Sequence, residues 1–350
     1  MASRFAHICI SLTAALLAAC ASGPREHASL APPRAVAITQ VQAERPIVAL
    51  VLGAGGSRGF AHIGVIRTLI AKGLVPDIIT GTSIGAVVGG CHAAGKLDEI
   101  EAWGRSLTRR SLLGYLDVSF SGSGLLSGGK LAEKITEAIG DITIDKLPVR
   151  YAAIATEIGT GHEIWITRGA LQEAMRASYA LPGIFPPIRL GERWLVDGAL
   201  VNPVPVSVAR ALGARLVIAV NVNTDMFGRG TTIPDQGVVP VQEPEPPIEE
   251  EVASRGLFGL FGGEKSAKRR LFGTASRPGL STVMVEAFNI MQDRITRARL
   301  AGDPPDILIS PRVGRIGLFD FHRAQEAINL GAEAAERALE GLDEVITALA

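Results

Sequence analysis

A serine held between two glycines, Gly81-Thr82-Ser83-Ile84-Gly85, constrains this chain more than any other stretch. It follows a short apolar run, Asp77-Ile78-Ile79-Thr80, that reads as a buried strand. It precedes Ala86-Val87-Val88-Gly89-Gly90-Cys91-His92-Ala93-Ala94, which reads as a helix of small residues. A strand turning directly into a helix has room at the corner only for nearly side-chain-free neighbours, and it leaves the central hydroxyl at the carboxyl edge of the sheet. The helix N-terminus beneath supplies N–H groups and the positive end of a dipole, both favourable to a developing oxyanion. The spacing fits G-x-S-x-G, the turn of a serine nucleophile; a glycine-rich connection without chemistry has the same local form.

A second glycine turn lies upstream. Ile47-Val48-Ala49-Leu50-Val51-Leu52 ends in Gly53-Ala54-Gly55-Gly56-Ser57-Arg58-Gly59, after which Phe60-Ala61-His62-Ile63-Gly64-Val65-Ile66 begins a helical pattern. Backbone N–H groups in such a loop approach a phosphate or an oxyanion with no Cβ in the way. A dinucleotide site competes for this reading, but it needs G-x-G-x-x-G and an acid at the end of the second strand. Here Arg58 falls inside the loop and Asp77 begins that strand. A P-loop fails because no Gly-Lys-Ser/Thr follows. Two strand-glycine-helix corners suit a hydrolase better, one for the oxyanion and one for the nucleophile. A third motif, Arg193-Trp194-Leu195-Val196-Asp197-Gly198-Ala199-Leu200, is a short strand closing on Asp-Gly. Alone it is an ordinary turn; beside the other two, Asp197 is the general-base candidate.

With these residues in hand, the chain resembles the patatin-like phospholipases, particularly their bacterial branch. Gly55-Gly56-Ser57-Arg58-Gly59 is similar to the family's oxyanion loop and Gly81-Thr82-Ser83-Ile84-Gly85 to its nucleophile elbow. Ser178-Tyr179-Ala180-Leu181-Pro182-Gly183-Ile184-Phe185-Pro186-Pro187 resembles its S-x-x-x-P-x-x-F-x-P element, and Asp197-Gly198-Ala199 its D-G-G/A motif. The likeness spans roughly residues 46–224 and 281–340, including Ile316-Gly317-Leu318-Phe319-Asp320-Phe321. Ala54 departs from it, standing where many members have another glycine, and 225–280 matches nothing assignable.

The resemblance implies a three-layer α/β fold, a mostly parallel central sheet with helices on both faces. It also implies a Ser83–Asp197 dyad without a catalytic histidine, acting on acyl esters of phospholipids, lysophospholipids or related lipids, with no cofactor. The N–H groups of Gly55, Gly56 and Ile84 would hold the tetrahedral oxyanion. Arg58 and Gly59 are expected to order the loop, and Gly81, Gly85 and Gly198 to shape the turns. An aspartate is a weak base for a hydroxyl, so oxyanion stabilisation should do most of the catalysis. Three alternatives stay open. Ser83, Asp197 and His322 follow the chain order of an α/β-hydrolase triad. An acyl-enzyme can transfer to an alcohol as well as to water. A non-catalytic lipoprotein serving outer-membrane homeostasis would keep the fold and lose the chemistry.

The N-terminus reads as a targeting segment. Arg4 precedes a short apolar core, Ile8-Cys9-Ile10-Ser11-Leu12-Thr13-Ala14-Ala15-Leu16-Leu17, too short for a confident membrane span. Leu17-Ala18-Ala19-Cys20 then resembles a bacterial lipoprotein box. Residues 1–19 are thus expected to be a signal peptide and Cys20 the lipidated mature terminus. Residues 20–45 form a tether and 46–350 the acylhydrolase domain. Ala21 and Ser22, with no Asp after the cysteine, fit the outer membrane of a Gram-negative cell, facing the periplasm. Of three cysteines only Cys91 would then remain free, so no intramolecular disulfide is expected. No His/Cys/Asp cluster has metal spacing. A formal net charge of zero argues against a nucleic-acid partner.

Along the chain, apolar runs at 47–52, 77–81, 151–155, 215–222 and 306–310 alternate with helical patterns at 97–109, 129–139, 281–300 and 321–349. Alternation of this kind predicts a mostly parallel sheet. The loop 120–128 is placed near the pocket mouth. Residues 225–280, rich in Pro and Glu and then in Lys and Arg, read as an irregular insertion of about 55 residues. The simplest expectation is a solvated insertion. A sharper one has Leu257, Phe258, Leu260 and Phe261 dipping into a lipid surface.

Overall fold

The computed structural model describes residues 46–111, 129–227, 273–274 and 277–341, together with Gln40. The signal segment, Cys20, the tether apart from Gln40, the 120–128 loop and the Leu257–Phe261 stretch lie outside the described residues.

An apolar run without alternation can be a strand only if both its faces are covered. β1 (Val48–Leu52) meets that condition, with all five residues buried. Val48, Leu50 and Leu52 enter one core, whereas Ala49 and Val51 enter a second core on the opposite face. The same logic holds for β2 (Ile78–Thr82), β3 (Arg150–Glu157) and β7 (Leu216–Val220). With β10 (Ile307–Ile309) these strands pair in parallel in the order β10-β7-β1-β2-β3. The larger core is covered by α1 (Ala61–Ala71), α2 (Ile84–Ala93), α3 (Leu97–Ser106), α4 (Gly129–Ile139), α5 (Leu171–Tyr179) and α8 (Ala324–Leu339). The smaller one lies beneath α6 (Val206–Ala211). The expected mostly parallel sheet with helices on both faces is therefore present.

Antiparallel strands extend the sheet beyond β3: β4 (Glu163–Ile166), β6 (Arg193–Asp197) and β5 (Ile188–Leu190). One edge of β3 is decisive. β4 occupies the far edge from Ala153 to Thr156, so β2 and β6 must share the near edge. β2 runs up it as far as Thr82 opposite Ile154, and β6 runs down it to Asp197 opposite Ala155. The two strands thus meet end to end at consecutive registers, which brings the residue after Thr82 against Asp197.

Some boundaries differ from the sequence reading. The segment Gly56–Phe60, read as an open loop, is a 3-10 helix, because the following helix is already templating its turn. The helix expected over 97–109 stops at Ser106, and the C-terminal helix begins at Ala324 after a short 3-10 turn, Phe321–Arg323. The 225–280 stretch is not irregular to its end: β8 (Gly273–Thr274) pairs with β9 (Arg277–Pro278), and α7 (Leu280–Gly302) follows.

Candidate active site

Ser83 sits at the corner between β2 and α2 with φ 57° and ψ −124°. It is the one non-glycine residue with positive φ among the described residues. A conformation of this kind costs about 1–3 kcal/mol and persists only where its surroundings dictate it. They do so here. A Cβ on Gly85 would lie 2.1 Å from the Leu52 carbonyl oxygen, so the helix presses directly on the end of β1, and Gly81 abuts Gly85 from the strand side. The Ser83 N–H donates to Ser178 Oγ at 2.9 Å, and that hydroxyl donates onward to the Ile154 carbonyl at 2.6 Å. The corner is thereby tied to β3 through α5.

Asp197 closes β6 and is buried. Its Oδ2 accepts from Ser83 Oγ at 2.7 Å, and its Oδ1 accepts from the Ala199 N–H at 2.9 Å. Thr156 Oγ1 donates to the Asp197 carbonyl, fixing the backbone beneath the carboxyl. Gly198 allows this closeness, since a Cβ there would fall 2.3 Å from the Ile154 oxygen. Burial disfavours the ionised form and pushes the Asp197 carboxyl up to about 7, against the smaller opposing pull of the hydrogen bonds from Ser83 and Ala199. A carboxylate with that affinity for a proton is a far better base than an exposed aspartate.

The glycine turn after β1 is fastened on every side but one. Gly53 N–H donates to Val220 O, Ala54 N–H to Pro203 O, and Ser57 N–H to Leu318 O, while Ser57 Oγ donates to Gly317 O at 2.6 Å. No hydrogen bond within the described residues engages the N–H groups of Gly55, Gly56 or Ile84. Gly56 has φ +58°, and a Cβ on it would stand 2.4 Å from the Leu318 oxygen, so no other residue fits without displacing that strap. Gly59 lies against Ile84, joining this turn to the elbow. The Ala54 methyl packs among Leu181, Ala199, Phe288 and Leu318, which gives the departure from glycine a packing role.

Two polar contacts tie α7 to this turn, one directly and one through Asn223, and neither is foreshadowed by a motif. Asn223 Nδ2 donates to the Ala54 carbonyl at 2.8 Å and to Gln292 Oε1 at 3.1 Å. Arg58, fully buried, donates from Nη2 to Asn289 Oδ1 at 3.2 Å. Burial lowers the Arg58 guanidinium to about 10, partly countered by the charges of Asp225 and Glu286.

The histidines stand elsewhere. His62 is buried, and since a carbonyl can only accept, its Nε2 donates to Gly53 O at 2.8 Å; burial pushes its pKa down to about 4, so the ring is neutral. His322 Nε2 accepts from Arg109 Nε at 3.2 Å. The direct Ser83–Asp197 bond leaves no gap between them for an imidazole. Among the described residues, no group of His, Cys, Asp and Glu is arranged to hold a metal, and no helix is long and apolar enough to cross a membrane.

Both glycine corners and the Asp-Gly turn open at the carboxyl ends of their strands, and β1, which leads into the first corner, has β2 on one side and β7 on the other. That is the general position of ligand sites in open α/β sheets. A serine on a strained elbow, a buried carboxyl touching it and N–H groups left unengaged beside it thus lie together at one edge of the sheet. The family model of the patatin-like phospholipases matches residues 50–210. An uncharacterised NTE family protein of Mycobacterium tuberculosis is 34% identical over 346 residues, covering 85% of this chain and 92% of that protein. The patatin-like phospholipase domain-containing protein 7 of Rattus norvegicus is 36% identical over 197 residues, 53% of this chain and 14% of that much longer protein. Among solved structures, that of VipD from Legionella pneumophila is similar at 11% identity, with a TM-score of 0.40, over 91% of this chain and 73% of that one. The chain belongs to the patatin-like phospholipase family, whose activity at family level is the hydrolysis of acyl lipids.

Proposed function

We propose that this protein is a serine acylhydrolase, of phospholipase A or lysophospholipase type, working through Ser83 and Asp197. The observation that supports it most is the 2.7 Å contact between Ser83 Oγ and a buried carboxyl whose proton affinity lies near neutrality. Asp197 takes the Ser83 proton as Oγ attacks the acyl carbonyl. The N–H groups of Gly55, Gly56 and Ile84 receive the oxyanion, and the Asp197 proton passes to the departing alcohol. Asp197 then removes a proton from water, which attacks the acyl-enzyme, and returns that proton to Ser83 Oγ as the fatty acid leaves. Arg58 and Gly59 hold the glycine turn in the form this requires. Each oxyanion donor of this kind typically contributes about 3 kcal/mol to the barrier reduction.

The same reading places the enzyme on the cell envelope: residues 1–19 are a signal peptide, Cys20 is lipidated, 20–45 are a tether, and the acylhydrolase domain follows. One diacylated and N-acylated cysteine carries enough methylenes for stable anchoring. The test is turnover of p-nitrophenyl esters and lysophospholipid by the wild type beside Ser83→Ala, Asp197→Asn and His322→Ala. Loss in the first two with retention in the third is the expected result. Loss in His322→Ala overturns the dyad in favour of a triad, and an inactive wild type overturns the enzyme reading altogether.

A further inference from the structure

α7 is amphipathic the wrong way round for a helix packed on a globular domain. Its buried side is mostly polar, with Asn289, Gln292, Asp293 and Thr296 at steps of three and four residues beside a single buried aromatic, Phe288. Asn289 and Gln292 on that side hold Arg58 and Asn223 at the glycine turn. The opposite side carries Val283, Met284, Ala287, Ile290 and Met291 in the same rhythm, all facing solvent. Val283 is 50% exposed, Met284 45%, Ile290 47% and Met291 45%. A helix whose polar groups are already committed to the interior has no internal use for this stripe, and contiguous exposed apolar surface marks an interaction site.

Two observations say what covers it. The stripe belongs to a helix that borders the site. The Met284 methyl would lie 2.8 Å from a Cβ placed on Gly183, and Val285 and Phe288 of the same helix pack in the apolar cluster with Ala54, Leu181, Ala199 and Leu318. The stripe is also poor in charge: between Leu280 and Gln292 the sole charge is Glu286, and Arg294, one turn further along the same face, is already engaged. One engaged cation at its far end gives an anionic partner little to hold, whereas a hydrocarbon boundary requires none.

We infer that the exposed face of α7 is a lipid-docking surface, seated on the acyl-chain side of a neutral bilayer or micelle so that a lipid leaves the aggregate along Val283, Met284, Ile290 and Met291 and enters the site beside Ala54. This rests on the acylhydrolase reading for the purpose of docking and on the α7 geometry for its location.

The test uses the full chain with Cys9→Ser and Cys20→Ser, so that no acyl anchor or signal-segment thiol contributes; Cys91 is buried and does not compete for label. An environment-sensitive fluorophore on Ile290→Cys should shift to the blue on adding phosphatidylcholine vesicles, to the same extent at high salt. The same probe on Val75→Cys should not. Val75 is 57% exposed but precedes β2, at the end of the sheet opposite Ser83. No shift at 290, an equal shift at 75, or a shift only with anionic vesicles overturns the inference. So does a shift at 290 that follows protein concentration without lipid, which would assign the stripe to a second copy. Ile290→Glu with Met291→Glu should lower hydrolysis of vesicle-borne lipid by about tenfold or more while leaving a soluble short-chain ester unaffected. A wild type that cleaves no ester defeats the enzymatic reading, and the fluorescence result still decides the docking.

Discussion

Replacing Asp197 with Asn should abolish turnover and yet make the protein more stable, by an amount that grows with pH. Asn is nearly isosteric, its amide oxygen can still accept from the Ala199 N–H, and its NH2 can donate to Ser83 Oγ. What it removes is a buried ionisation. The folded-state carboxyl titrates at about 7 against an ordinary value of 3.8. Because the folded pKa is raised, the folded form holds a proton that the unfolded chain has already released. Its stability contribution is complete below about 4 and is lost as pH rises through about 7. Between pH 5 and pH 8 the wild type should therefore lose about 3 kcal/mol that Asp197→Asn keeps, two units of titration at about 1.4 kcal/mol each. At roughly 2 °C per kcal/mol for a chain of this size, the melting difference should widen by about 5 °C over that range. Thermal melts of both proteins at half-unit steps of pH measure it. A difference that stays constant with pH, or that favours the wild type above pH 7, would refute the claim that burial sets the proton affinity of this carboxyl.

Four further outcomes are expected. Ser83→Gly should melt higher than Ser83→Ala, by an amount worth about 1 kcal/mol, because only glycine is at ease at φ 57°; both should be inactive. Ser178→Ala strips the Ser83 N–H of its acceptor and should cost about 1–3 kcal/mol of stability, with turnover down roughly tenfold or more. Gly56→Ala drives a methyl at the Leu318 carbonyl and should lower kcat by about 100-fold while changing KM little, read from ester kinetics. His322→Ala, by contrast, should leave kcat/KM and its pH profile unchanged, since His322 bonds to Arg109 and not to the dyad.

The strands of the parallel sheet were legible because burial on both faces leaves an unbroken apolar run, as in Val48–Leu52. β5 was not, because two half-buried residues around an exposed Arg189, beside a turn, carry no such signature. The periodicity of Val283, Phe288, Met291 and Ile295 marks α7 as a helix, but the face that is buried was decided by polar partners. Asn223 and Gln292 are 69 residues apart, and only the fold brings them together. The serine corner, the glycine turn and the Asp-Gly turn each have a local form that sequence reveals. The head-on meeting of β2 and β6 on one edge of β3, which sets Ser83 against Asp197, is a property of the sheet register. Nor does any sequence pattern announce the raised pKa of Asp197, since it comes from desolvation by residues contributed from several elements.

The most direct test is to treat the protein with a fluorophosphonate and map the adduct by peptide mass spectrometry across a range of pH. A single adduct on the peptide bearing Ser83 is predicted. Its rate of formation should rise through pH 7 as Asp197 ionises, slow greatly in Asp197→Asn, and vanish in Ser83→Ala. An unmodified Ser83, or an adduct on a different serine that survives Ser83→Ala, would contradict the dyad.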